Sequence, residues 1–195
     1  MKKKLKNRKF RYVEKDEISK PLQSLHQFYK LDVSFKTWRM DVELLLLSGL
    51  DGRLKRNGFE YGLTAQRLIK QVEIAYVLYT AANIKKKVDF QRHVKSVREM
   101  YGVLNQERVY STTEALFLFF ECQSLNKWRV ELDFMISYAS LALENEDNPN
   151  NDNALLVYIR IMALIDALHQ IYLDNGMHAD LLNHALKRKS YDTLT

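Results

Sequence analysis

Asp166 and His169 stand three residues apart in "DALH". On one helix face that spacing brings a carboxylate and an imidazole together, as in the iron-pair sites of helical bundles. "GMHADLLNH" adds His178, Asp180 and His184 shortly after. Such sites also need several inward-facing glutamates, and the third helix of each half supplies only one such acid, Glu73 or Asp166. No metal ligands and no cofactor are therefore assigned, and His169 reads as a core or boundary histidine.

Glu73 in "VEIAYVLY" and Asp166 in "LIDALHQIY" raise a different chemistry. A carboxylate inside an apolar run must be paired or take up a proton. Arg39 and Arg129 are the expected partners, one ion pair within each half of the chain; the competing expectation is that both acids face solvent. Within their own helices, Arg39 can also meet Glu43, and Arg129 can meet Asp133, each four residues on.

Nucleophilic and phosphate chemistry leaves no signature. There is no Gly-rich phosphate loop, no Cys-x-x-Cys and no Gly-x-Ser-x-Gly. Arg160 lies too far from His169 for the arginine–histidine spacing of helical ribonucleases. Cys122 is the only cysteine, so no internal disulfide forms; among Phe119, Phe120 and Leu125 it reads as a buried, inert thiol. No catalytic residue is assigned. An enzyme with a site between the two halves, around Glu73, Asp166 and His169, is the third choice of function.

Basic residues make a stronger pattern. The net charge of +6 equals the six cations of residues 1–9, a stretch with no acid, so residues 10–195 are balanced. Lys2, Lys3, Lys4 and Lys6 of this arm, with Lys86, Arg92, Lys95 and Arg188, form a candidate nucleic-acid surface. The competing expectation is a solubilising tail and solvated helix faces.

These residues need elements to hold them, and the chain spells one element twice. "SFKTWRMDVE" (34–43) returns as "SLNKWRVELD" (124–133), carrying Trp38 and Trp128, the only tryptophans. Upstream, "QFYKLDVS" resembles "LFFECQS" once one residue is dropped, which sets Phe28-Tyr29 on Phe119-Phe120. Downstream, "RLIKQVEIAYVLY" lies on "RIMALIDALHQIY", matching Arg67 to Arg160, Glu73 to Asp166, Tyr76 to His169 and Tyr79 to Tyr172. The period is too long for a solenoid repeat and fits a duplicated small helical domain.

Six glycines and two prolines favour long helices over tight β-turns. Helices are expected over about residues 16–30, 35–48, 61–84, 86–105, 112–122, 125–145, 152–174 and 178–190. Ser34 is the expected cap of the second, and Asp-Gly at 51 and Asn-Gly at 57 and 175 mark breaks. Leu68, Val72, Ala75 and Leu78 recur at helical spacing.

The expected architecture is all-α: an internally duplicated helical bundle, two copies of about 90 residues with three to four helices each. Residues 1–15 are a basic disordered arm, 16–106 the first repeat and 107–195 the second, packed as one unit about a pseudo-twofold axis. The basic start lacks the apolar run of a secretory signal, and no stretch of about 20 apolar residues predicts a membrane span. A cytoplasmic protein is expected.

The first repeat phrase also has helix-turn-helix form, "KPLQSLHQFY", "KLDVS", "FKTWRMDVELL". Asp41 and Glu43 cancel Lys36 and Arg39 on its second helix, so that helix reads as core packing. The expected function is a non-enzymatic helical adaptor that binds a protein partner or its own copy. Exposure of Phe117, Phe119 or Phe120 would mark its interface. A nucleic-acid-binding accessory protein is the alternative.

Overall fold

Few residues here can interrupt a helix, and the computed structural model is helical almost throughout the residues it describes, 9–51, 54–82, 112–140 and 151–174. Its α-helices are α1 (Lys15–Ser19), α2 (Pro21–Gln27), α3 (Phe35–Leu50), α4 (Tyr61–Ala81), α5 (Thr112–Cys122), α6 (Leu125–Ser140) and α7 (Asn151–Asp174). No strand occurs among the described residues. The helices expected over about 86–105 and 178–190 lie outside them.

The single helix expected over about 16–30 is three pieces instead. Pro21 lacks an N–H and disfavours helical geometry at Lys20, whose φ of −133° and ψ of 56° end α1. Pro21 then opens α2, where its missing donor costs nothing. After α2 the chain widens into a π-helical turn, Phe28–Asp32, closed by Val33 N–H donating to the Phe28 carbonyl five residues back. A π-turn holds one residue more than an α-turn in the same place. "QFYKLDVS" is one residue longer than "LFFECQS", and the surplus is taken up in this turn.

Ser34 caps α3, its hydroxyl accepting from Thr37 N–H at 3.2 Å. Asn57-Gly58 turns the chain back towards α4, and Gly58 has a φ of 77° that side chains rarely adopt. The predicted face of Leu68, Val72, Ala75 and Leu78 is fully buried on α4, and Glu73 and Ile74 on other sides are buried too. α7 departs from expectation: Leu155–Asp174 is long and apolar enough to cross a membrane by length and composition. Half of that stretch is buried against the rest of the bundle, as in a core helix.

One continuous core joins both halves of the chain. α3 packs on α4, α6 and α7; α4 also meets α6; α5 lies on α7 and α4; α2 lies on α4 and α7. α3 is thus packed on three helices, while Lys36, Thr37 and Met40 on its outer side are exposed. Phe117, Phe119 and Phe120 are buried, so the interface expected on α5 is not there. Cys122, expected inside, is exposed because it ends α5 just before the turn to α6.

Each tryptophan anchors one helix start. Trp128 stacks on Phe119 at 4.0 Å, and its Nε1–H donates to the Phe119 carbonyl at 2.9 Å. Trp38 meets Phe28 edge-on at 5.1 Å. The Phe28 carbonyl is taken by the π-turn, and buried Trp38 Nε1 has no partner among the described residues.

α3 and α6 approach closely where Gly49 faces Met135. A Cβ on Gly49 would sit 3.0 Å from both the Met135 Cβ and its carbonyl oxygen. Gly49→Val is expected to lower stability by about 2 kcal/mol, because overpacking outweighs the gain in helix propensity. A urea midpoint that is unchanged or raised would contradict this close crossing.

Candidate functional site

Glu73 lies mid-way along α4, and its side chain is 0% exposed. A bare carboxylate there would be prohibitively desolvated. Four donors meet it. Arg11 N–H reaches Oε1 at 2.7 Å, while Tyr12 N–H and Val13 N–H reach Oε2 at 2.9 and 3.1 Å. The Arg129 guanidinium, from the first turn of α6, donates to Oε1. Successive backbone N–H groups converging on one anion form a concave nest, and each bond is charge-assisted.

Residues 9–14 therefore form a strap across α4 and α6. Of the basic arm expected over residues 1–15, residues 1–8 lie outside the described residues and 9–15 lie against the bundle. The strap is fastened at several further points. Arg129 also donates to the Lys9 carbonyl at 2.7 Å. Arg11 makes two bonds to Asp133 on α6, at 2.7 and 2.9 Å, which hold its pKa above the ordinary value. Phe10 packs on Tyr76 at 6.4 Å, and Val13 is buried in the core. Glu17 of α1 takes Lys70 of α4 at 2.8 Å, which pins the chain just past the strap.

The second carboxylate is arranged differently. Asp166 on α7 accepts from Arg39 Nε at 3.2 Å, and the two side chains are 50% and 43% exposed. Arg39 also lies 4.0 Å from Glu43, which accepts from the Tyr158 hydroxyl at 2.8 Å. Both expected acids thus have an arginine, but with partners exchanged. Arg39 reaches the carboxylate of the second half, and Arg129 that of the first. The expected pairs within each half are not formed, and Asp133 binds Arg11 in place of Arg129.

Aromatic clusters flank both pairs. Tyr76, Tyr79 and Phe120 adjoin the Glu73 pair, with Tyr76–Phe120 at 5.3 Å and Tyr79–Phe120 at 5.1 Å. Burial raises the Tyr79 hydroxyl's pKa, and its bond to Glu121 at 2.8 Å adds to the rise. His169, Tyr172 and Tyr29 adjoin the Asp166 pair, with His169–Tyr29 at 5.2 Å and Tyr29–Tyr172 at 5.4 Å. Phe35 lies flat on His169 at 3.7 Å. That cover desolvates His169 and lowers its pKa, with Asp166 pulling the other way.

Two surface cavities, about 280 and 560 Å³, border the strap, α1, α2 and α4, and Glu73, Asp166 and His169 line neither. No group of three or more metal-ligating side chains occurs among the described residues. Lys2, Lys3, Lys4, Lys6, Lys86, Arg92, Lys95 and Arg188 lie outside the described residues, as do His178, Asp180 and His184. Sequence reasoning found both acids and both arginines but missed the strap. Backbone N–H groups are the same in every residue, so the donors that complete the site leave no trace in residue type.

Glu73→Gln keeps the shape, strands the Arg129 charge and turns an amide N–H₂ towards backbone donors. It is expected to cost about 3 kcal/mol, whereas Arg11→Ala, which breaks an exposed pair, costs under about 1 kcal/mol. Urea denaturation of both variants checks the ranking, and equal losses would refute it. His169 gives a pH signature. Its folded pKa is depressed, so below the ordinary 6.5 the unfolded chain takes up a proton that the folded one resists. Stability therefore falls from pH 7.5 to 5.5, and His169→Gln is expected to flatten that fall, as thermal melts at the two pH values would reveal.

No known protein family, curated protein or solved structure matches this chain, and its function is read from the two arginine–carboxylate pairs.

Proposed function

We propose that this chain is a non-enzymatic interaction protein, an internally duplicated helical bundle that recognises non-helical peptide segments through arginine–carboxylate clasps. The observation that carries this reading is the seating of residues 9–13 on Glu73 and Arg129. A bent stretch of backbone is held there by its N–H groups and one carbonyl, with a side-chain arginine read by Asp133. The carboxylate that a catalytic reading would need is already committed to four donors.

Duplication is supported by correspondence of contacts as well as of letters. Arg129, Glu73 and Asp133 correspond to Arg39, Asp166 and Glu43 in the repeated phrases. Tyr76, Tyr79 and Phe120 correspond to His169, Tyr172 and Tyr29, and each trio is one cluster. α3 meets α7 as α6 meets α4. Exchange of partners between halves is what a pseudo-twofold axis produces.

The test is a titration of the full chain, followed by fluorescence anisotropy, with labelled non-helical peptides and with single- and double-stranded oligonucleotides at two salt concentrations. Expected is micromolar peptide binding that is lost when prolines remove the peptide's N–H groups. Oligonucleotide binding that weakens steeply with salt, without peptide binding, would overturn this reading in favour of a nucleic-acid-binding accessory protein.

A further inference from the structure

We infer that Asp166, Arg39 and Glu43 form a second clasp, open at Asp166 in this chain, that takes an arginine-bearing backbone segment of a partner protein. This rests on the duplicated reading above. Three charged side chains that hold residues 9–13 each have a counterpart of like chemistry here. Glu73, which receives three backbone N–H groups, corresponds to Asp166. Arg129, which donates to the Lys9 carbonyl, corresponds to Arg39. Asp133, which receives the Arg11 guanidinium, corresponds to Glu43.

What differs is the cover. Beneath the strap, Glu73 and Arg129 are 0% and 9% exposed, against 50% and 43% for Asp166 and Arg39. Among the described residues Asp166 accepts a hydrogen bond only from Arg39, where Glu73 accepts four. A carboxylate with lone pairs to spare, beside an arginine, is a site for backbone donors and a carbonyl.

The occupant's chemistry follows from the same comparison. Two carboxylates against one arginine leave this clasp net negative, which favours a basic segment. The aromatic position that Phe10 takes on Tyr76 is already filled on His169 by Phe35, which belongs to α3 itself. The open clasp therefore selects for backbone donors and an arginine rather than for an aromatic residue. Met40, next to Arg39, is exposed and offers apolar surface for a neighbouring side chain of the partner.

The probe is a fluorescently labelled peptide with the strap sequence KFRYV, titrated into the full chain, with citrulline in place of its arginine as the neutral control. Saturable binding is expected, weakened about tenfold or more by Asp166→Ala and by the citrulline change. Asp166→Ala alters a half-exposed side chain, and its urea midpoint serves as the folding control. Arg39→Ala, tested alongside, should weaken binding in the same way. Binding that survives both substitutions would mean that the peptide displaces the strap at Glu73; this inference then fails while the peptide-binding reading stands. Absence of any binding by the unaltered chain overturns both.

Discussion

A carboxylate in the middle of a core helix has to be answered by donors, and the residues around Glu73 are arranged to answer it. α4 is buried on nearly every side because the strap closes the side that the helices leave open. α6 must present Arg129 at its first turn, where the Trp128–Phe119 stack sets the start of the helix. The strap in turn leads into α1, whose Glu17 returns to Lys70 one turn from Glu73. Removing the carboxylate would therefore unfasten the chain's beginning and leave a guanidinium without its charge partner.

The two tryptophan-bearing phrases sit in different surroundings. Before α3 the chain makes a π-turn closed on the Phe28 carbonyl, and the Trp38 indole has no acceptor among the described residues, whereas Trp128 donates to the Phe119 carbonyl. Glutamate in one half and aspartate in the other give carboxylates of different reach. Tyrosine at 76 and histidine at 169 line the two pairs with different rings, one against Phe10 and one under Phe35.

Much of this was legible in the letters. The helical periodicity of α4, the Ser34 cap and the pairing of buried Glu73 with an arginine each follow from a local rule about spacing or desolvation, whereas Asp166 is exposed. Which arginine meets which acid was not legible, because any of four pairings satisfies the same rule and only the packing of α3 on α7 and of α6 on α4 selects among them. Cys122 was misread because apolar neighbours along the chain say nothing about which side of α5 it takes. The strap was hidden for a deeper reason: basic composition signals disorder, while the feature that orders residues 11–13 is a distant carboxylate.

The strap also has a consequence in time. Its bonds to Glu73 span about sixty residues of chain, and those to Arg129 and Asp133 about one hundred and twenty. The complete clasp needs α4 and α6 side by side, since Glu73 comes from one and Arg129 and Asp133 from the other. An interaction absent from the transition state leaves the folding rate nearly unchanged and slows unfolding. A strap that closed after the helices would then be a kinetic latch, setting how long the bundle, once assembled, stays shut.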